Sequence, residues 1–322
     1  MKKILLATTM LAGTAGFAAA EVSVTGYAEM GIWSDAAGDV AFWQDVEVTF
    51  GMSGTTDGGL EFGASIDLDE GDVTTDDDSG TTVWISGAFG KLTMGDTDGA
   101  IDWALTDAVA LTSIADDHST HVAWFGATGH DGSGDGQVVR YENTFGAFGF
   151  ALSAEQVDNG AGVAAGGVSG VASDDIFGIG VKYIADLGGT ALNIGLGYQT
   201  GALDSIIDPL ATDENADSIG LSIAAELAGG FSGSVGYIET DFDDAGVEDY
   251  SHFGLGLTYT TGALSAHLNY GEVSPDVAPS FDSWGAAVNY DLGGGAVVMA
   301  GYGSDVDGLG NDQWSIGLGM SF

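Results

Sequence analysis

Carboxylates are the groups of this chain best suited to chemistry, and one long segment, residues 96–136, is rich in them. Among its acids are Asp96, Asp98, Asp102, Asp107, Asp116 and Asp117. Acidic side chains that surround a water-filled passage favour cations over anions. Within a Debye length, about 10 Å at 0.1 M salt, they also raise the local cation concentration. The segment therefore predicts a site that attracts cations.

Calcium is the metal that these acids would suit, because it is a hard cation that takes oxygen ligands. The candidate positions are the stretch Asp96–Asp107 and the run Asp76–Asp78. Neither has the spacing of a closed calcium loop, so a solvated run of charge is the alternative. His118 and His121 resemble half of a metal site, but a third ligand is not identifiable. Calcium is thus a possible ligand, and no other cofactor is expected.

Catalysis and nucleic-acid binding are not expected. The chain has no G-x-S-x-G motif and no defensible Ser-His-Asp spacing, so it is not predicted to be an enzyme. It has 5 Lys+Arg against 48 Asp+Glu, which gives a formal net charge of −43. Nucleic-acid binding needs a cationic surface, and this chain cannot provide one.

The first twenty residues have the features of a secretory signal peptide. Lys2 and Lys3 precede a mostly apolar stretch over residues 4–17, and three alanines at 18–20 supply a cleavage site. We expect residues 1–20 to be removed and residues 21–322 to form one domain. The exported chain would then keep Lys91, Arg140 and Lys182 as its only bases, for a net charge of 3 − 48 = −45.

Apolar residues alternate with small or polar ones along the rest of the chain. Mean hydropathy is positive (+0.19), yet after residue 20 there is no run of about 18 apolar residues that could span a bilayer as a helix. In the last segment, Trp314, Ile316, Leu318, Met320 and Phe322 alternate with serine and glycine. Period-two alternation predicts strands with one apolar face, as in a transmembrane β-barrel.

Turn signals divide into two classes whose alternation fixes the number of strands. Short glycine-rich turns are predicted at Thr55–Gly59, Phe89–Gly90, Phe145–Ala147, Leu187–Thr190, Ala228–Gly230, Thr261–Ala263 and Leu292–Gly295. Long acidic loops are predicted at Ser34–Asp39, Asp69–Gly80, Asp96–Gly136, Glu155–Asp175, Thr200–Asp217, Thr240–Asp249, Glu272–Phe281 and Ser304–Asn311. Seven short hairpins give fourteen strands, and the first and last strands bring the count to sixteen. A barrel of this size leaves an aqueous channel.

The segment 96–136 is unusual because it is about forty residues long and partly apolar. It contains Ile101, Trp103, Leu105, Trp124 and Phe125, a content that argues against disorder. Such a loop needs a surface to pack on, and the inner wall of the barrel provides one.

Three stretches resemble the trimeric general porins of Gram-negative bacteria, especially the alphaproteobacterial type. They are Ser53–Ser65, Ser86–Asp96 and Val139–Asn143. The resemblance implies a homotrimer in the outer membrane, surrounded by lipid and lipopolysaccharide. It also implies that the third loop, here 96–136, folds into the pore to constrict it, and that the barrel-assembly machinery reads the terminal Phe322.

The chain departs from the expected pattern at the wall that should face the third loop. Porins of this type usually carry basic side chains there, but alternation through residues 43–50 places Asp45 and Glu47 in the lumen. The predicted pore-wall residues are Glu29, Asp45, Glu47, Glu61, Lys91, Arg140 and Lys182. We therefore expect a general diffusion porin that passes ions and small hydrophilic solutes and prefers cations.

Two other functions stay open at this point. A substrate-specific channel for sugars or amines would need an aromatic track, and Trp33, Trp43 and Trp84 occupy predicted inward positions. A secreted, calcium-dependent β-protein would use the acidic loops for binding instead.

Overall fold

The computed structural model describes residues 20–69, 80–117, 119–127, 138–155, 175–203, 214–244 and 246–322. Residues 1–19 of the predicted signal peptide, the acidic run Asp76–Asp78, His118 and the end of the 96–136 segment lie outside these ranges. The described residues form one closed antiparallel barrel of sixteen strands.

The strands follow one another around the barrel in chain order. They are β1 Glu21–Ser34, β2 Val40–Thr55, β3 Glu61–Asp69, β4 Thr81–Gly87, β5 Gly90–Gly95, β6 Val138–Phe145, β7 Phe148–Glu155, β8 Ile176–Asp186, β9 Ala191–Leu203, β10 Glu214–Glu226, β11 Phe231–Phe242, β12 Tyr250–Thr261, β13 Leu264–Pro275, β14 Phe281–Gly293, β15 Ala296–Gly303 and β16 Gln313–Ser321. Two short helices, α1 Ala100–Ala104 and α2 Ile114–Asp117, lie between β5 and β6. Among the described residues, neither helix has the length and apolar character to cross a bilayer.

The first and last strands close the barrel. β1 pairs with β16 in a register that sets Tyr27 opposite Ser321 and Ser34 opposite Trp314. Beyond β16, the backbone of Phe322 exchanges two hydrogen bonds with Gly26, at 2.8 and 3.2 Å. Every strand therefore has two hydrogen-bonded neighbours, and the exposed edges that favour aggregation are removed. The predicted sixteen-stranded fold is confirmed.

Alternation along each strand separates an apolar outer face from a small and polar inner face. In β16, Trp314 and Ile316 point outward and are exposed, whereas Ser315 between them is buried inside the barrel. The same outward apolar face appears on β1 with Val22, Val24 and Met30. This is the arrangement that lipid on one side and an aqueous lumen on the other require.

The seven short turns lie where the sequence predicts them, to within a few residues, but the strands extend further into two predicted loops. β9 ends at Leu203 and β10 begins at Glu214, so both strands extend into the predicted loop 200–217. β13 ends at Pro275 and β14 begins at Phe281, which shortens the predicted loop 272–281 to residues 276–280. The acids Asp217, Glu272 and Asp282 on these strand ends face outward. The strands continue beyond the apolar band that faces lipid. Acids at their ends, which the sequence pattern assigns to loops, therefore belong to strands.

The third loop supplies the buried core of the molecule. Phe125, Ile101 and Ile114 from this loop are fully buried against the inner wall. Helix α1 packs against β7, β8 and β9, and α2 packs against β1, β2, β15 and β16. The prediction that this loop folds into the barrel is therefore confirmed.

Candidate functional site: the pore and its third loop

The third loop crosses the inner wall in one direction and then returns. On the way out, the backbone N–H of Ala100 donates to Ser153 Oγ of β7 (2.8 Å), and that of Ala115 donates to Glu29 Oε2 of β1 (2.9 Å). On the way back, the N–H of Ala123 donates to Ser283 Oγ of β14 (3.0 Å). The N–H of Ala127 then donates to Asp107 Oδ1 (2.7 Å), which ties the returning arm to the outgoing one.

Inward-facing glycines make room for the loop along this route. A Cβ added at Gly180 would lie 2.0 Å from the carbonyl oxygen of Ala100, and one at Gly271 would lie 1.6 Å from that of Ala123. Neither position can hold a side chain while the loop keeps its place. We call the whole set the glycine path: Gly178, Gly180, Gly195, Gly197, Gly220, Gly236, Gly254, Gly256, Gly271, Gly285, Gly303, Gly317 and Gly31.

Glu29 holds the tip of the loop. Its carboxylate accepts hydrogen bonds from Tyr27 Oη (2.9 Å), Trp43 Nε1 (3.3 Å) and the Ala115 N–H (2.9 Å). Glu29 is buried, so among the predicted wall residues it acts as an anchor for the loop rather than as an acid exposed to the pore.

The tryptophans predicted to form an aromatic track are separated. Trp33 and Trp43 meet edge to face, 5.6 Å between ring centroids, and pack against the buried Ile114 and Ala115. Cross-strand pairing through Gly63 sets Trp84 level with Ser53, near the short-turn end of β2, whereas the other two lie near the β1–β2 loop at the opposite end. These three rings do not form a continuous surface for sugars.

Three histidines join the returning arm and the middle of the loop to β12, β13 and β14. His121 lies 2.6 Å from both Ser283 Oγ and Asn269 Oδ1, and burial lowers its pKa to about 4. His252 Nε2 lies 3.0 Å from the Ala123 carbonyl oxygen. His267 Nε2 accepts a hydrogen bond from the Ala110 N–H (3.3 Å). The metal-site interpretation of His121 is therefore replaced by a structural one.

Two of the three bases in the barrel hold the start of the loop. Arg140 donates to the Asp98 carbonyl oxygen (2.5 Å) and to Glu142 Oε2 (3.0 Å), and lies 3.7 Å from the Asp98 carboxylate. Lys182 donates to the Trp103 carbonyl oxygen (3.2 Å), with its ammonium 3.6 Å from the centroid of that ring. Cation–π contacts of this kind are favourable when partly desolvated.

The third base, Lys91, lies in a row of inward residues near the short turns. Its ammonium is 5.4 Å from the ring centroid of Trp84. Cross-strand pairing sets it level with Glu142 on one side and with Ser86, then Glu61, on the other. Lys91 is therefore placed between acids at the same level of the barrel.

Three aspartates of the loop form an acidic group in the lumen. The Asp98 carboxylate is 66% exposed, while Asp102 and Asp107 are half-buried. Burial, reinforced by the charges of Asp98 and Asp107 and opposed by Arg140, raises the pKa of Asp102 to about 6. Burial also raises the pKa of Asp107, against the effect of its hydrogen bond from Ala127.

The remaining predicted acids are spread over the lumen. Asp45 and Glu47 line a recess of about 270 Å³ between the β1–β2 wall and residues 112–113 of the loop. Asp96 is exposed where the loop leaves β5, and Glu61 is exposed at the short-turn end of β3. The side chains of Asp116 and Asp117 lie outside the described residues, although their backbone forms the end of α2.

The acids proposed as calcium ligands are only partly covered by the structure. Within the ranges that the structure covers, no three His, Asp or Glu side chains come close enough to hold a metal ion. That result includes the described acids between Asp96 and Asp107, whereas the run Asp76–Asp78 is not covered.

Comparison with known proteins assigns the family. The model of the Gram-negative porin family matches residues 7–308. The chain belongs to this family. It is 30% identical over 320 residues to a porin from Rhodobacter capsulatus, covering 94% of this chain and 99% of that protein. This porin is therefore an outer-membrane channel and not an enzyme.

Solved structures show the same fold. A porin structure refined at 1.8 Å superposes with a TM-score of 0.73 at 24% identity, covering 94% of this chain and 100% of the other. A triple mutant of the Rhodopseudomonas blastica porin gives a TM-score of 0.64 at 18% identity, with the same coverage.

The glycine path and the histidine anchors are the parts of the site that the sequence analysis does not identify. A signal for the path exists in the sequence, because most strands from β8 to β16 carry a glycine at an inward position of the alternating pattern. Inward glycine is ambiguous, however, because small residues are common throughout these strands.

Replacing Gly271 with alanine should move the returning arm of the loop into the pore. The new methyl group would overlap the Ala123 carbonyl oxygen, and overpacking of this kind costs about 1–3 kcal/mol. We expect lower single-channel conductance and a lower unfolding temperature. The control is Gly26→Ala, where an added Cβ meets its nearest atom at an ordinary 3.4 Å. Equal behaviour of the two variants would contradict the proposed role of the glycine path.

Proposed function

We propose that this porin is a general diffusion pore with a preference for cations. The observation that carries the proposal is the distribution of charge in the lumen. Arg140 and Lys182 are bound to the third loop, and Lys91 sits between acids. Among the charged residues that face the lumen, carboxylates outnumber bases, and they include Glu47, Glu61, Asp67, Asp98 and Asp102. Such a lining favours cations.

The wall acids support the same preference. Asp45 and Glu47 lie at neighbouring inward positions of β2, and pairing with β1 sets Glu29 directly opposite Asp45 and Tyr27 opposite Glu47. The negative potentials of Glu47 and of the buried Asp45 beside it add together, and a confined region of one sign attracts counter-ions. This part of the wall therefore adds negative potential on the side where arginines would have produced a transverse field.

The inner surface suits passive diffusion of small hydrophilic solutes. Inward positions of the wall away from the loop carry hydroxyls and carboxylates, among them Thr49, Ser65, Asp67 and Thr82. These groups exchange hydrogen bonds with water or solute without requiring one particular molecule. Diffusion through such a pore also needs no catalytic residue.

The assembly and export of the protein follow from the family resemblance. We propose a homotrimer, embedded in lipid and lipopolysaccharide, whose signal peptide is removed after Ala20. The apolar outer face supports the lipid contact, and Phe322, exposed at the end of β16, is available as a signal for barrel assembly. Calcium binding by the acidic loops stays a prediction.

Reversal potentials in a KCl gradient test the selectivity directly. We expect the native pore to favour potassium over chloride. Asp45→Asn combined with Glu47→Gln should lower the permeability ratio about twofold, because the charge of Glu47 and that of the buried Asp45 beside it are lost. Asp282→Asn is the control, since that acid faces outward on β14 and should leave the ratio unchanged. Preference for chloride in the native pore would refute the proposal.

Acidification should weaken the cation selectivity at a higher pH than the titration of ordinary aspartates would. Because the pKa of Asp102 is raised to about 6, this carboxyl becomes neutral as the pH falls from 7 to 5, and the lumen loses negative charge. The permeability ratio should therefore decrease across this window. Asp102→Asn should remove that step, and Asp98→Asn should move its midpoint to lower pH by removing a neighbouring charge. A native ratio that stays flat from pH 7 to 5 would show that Asp102 does not act on permeating ions.

A further inference from the structure

A large aliphatic side chain on the inner face of β8 remains exposed, whereas the inward Ile176 of the same strand is buried. On β8 the inward residues at the short-turn end are Lys182, Ile184 and Asp186, and Ile184 is 52% exposed. The inside of a porin-type barrel is ordinarily polar. Exposed apolar surface costs free energy in water, at about 25 cal/mol per Å², so a half-exposed isoleucine in the channel needs an explanation.

Ile184 forms part of a recess of about 290 Å³ between the third loop and the short-turn end of the wall. Cross-strand pairing places Ile184 level with Asn193 on β9, followed by Ala224 on β10 and Ser234 on β11. All four residues line the recess. These four residues form the floor of the recess, which is apolar on the β8 side and mildly polar towards β11.

Carboxylates stand at two sides of this floor. Asp107 reaches the recess from the third loop, and Glu226 reaches it from the end of β10. None of the residues lining the recess is basic, and the nearby Lys182 is held on Trp103. The recess therefore combines an exposed aliphatic surface with negative charge.

Asn193 adds a polar side chain to the recess. Its amide lies 3.0 Å from Thr106 Oγ1 of the third loop, which ties this side of the recess to the loop.

We propose that this recess is a low-affinity binding site for small primary amines with a short aliphatic body. The ammonium group donates hydrogen bonds to the carboxylates of Asp107 and Glu226, and the alkyl chain covers Ile184. The inference rests on the proposed function, because the acidic lumen must first admit organic cations. Anions would be repelled, and sugars would leave the apolar surface of Ile184 uncovered.

The size of the recess limits the ligand. Ligand pockets in proteins usually measure about 300–1,000 Å³, which places this one at the small end. The site is also open to the channel, so affinity should be low, with half-saturation on the order of millimolar. A weak site of this kind lets the amine leave on either side, as transport requires.

Titration of single channels with n-butylammonium in KCl tests the inference. We expect a saturable decrease in potassium conductance. Methylammonium, which lacks the aliphatic body, and butyrate, which lacks the cation, should each produce no saturable effect. A linear, non-saturating response to n-butylammonium would overturn the proposal.

Two variants assign the effect to the recess. Ile184→Thr keeps a β-branched side chain and should raise the half-saturating concentration about fivefold, as loss of apolar contact predicts. Glu226→Gln should raise it about threefold, in the range of an exposed ion pair. Glu61→Gln removes a lumen acid outside the recess and should leave it unchanged. If Ile184→Thr and Glu226→Gln both match the native channel, the amine binds elsewhere and the inference is wrong.

The reversal potential separates failure of this inference from failure of the proposed function. A pore that prefers potassium but shows no saturable block by n-butylammonium contradicts only the proposal that the recess binds amines. A pore that prefers chloride contradicts the cation preference, and the amine site with it.

Discussion

The close approach between the third loop and the barrel wall is the constraint on which the rest of the pore depends. Backbone carbonyls of Ala100, Ala108 and Ala123 lie where a Cβ on the facing strand residue would be. The wall can accept them only if it has glycine there, and glycine at an inward position still leaves the outer face apolar. The alternation of inward glycine with outward apolar residues thus provides the lipid contact on one side of the wall and the space for the loop on the other.

The position of the loop then decides how the few bases are used. Arg140 and Lys182 satisfy carbonyl groups at the start of the loop, and Glu29 satisfies the N–H at its tip. Arg140 also lies beside the carboxylates of Asp98 and Glu142, so its positive charge is offset locally. The acidic character of the lumen therefore follows from the composition of the chain and also from the attachment of the loop.

Alternation and turn signals were sufficient to predict sixteen strands, because lipid imposes period two on every strand and short turns leave little freedom. The acids Asp217 and Glu272 were assigned to loops because sequence alone does not show where a strand passes beyond the apolar band. The two helices, of five and four residues, are too short for a helical period to be visible. Period-two alternation puts Glu29, Trp33 and Trp43 on the inner face, but whether they meet water or the loop depends on the route of the loop.

A disulfide between the loop and the wall gives the most direct test of the central claim, that the third loop is fixed on the wall in the conducting pore. Ser113 and Ser315 are both buried, their Oγ atoms are 2.8 Å apart, and the chain has no cysteine of its own. The double variant Ser113→Cys, Ser315→Cys should therefore form a disulfide. The cross-linked pore should keep the conductance and selectivity of its reduced form. Failure to cross-link, or a conductance that changes on reduction, would show that the loop occupies another position in the conducting pore.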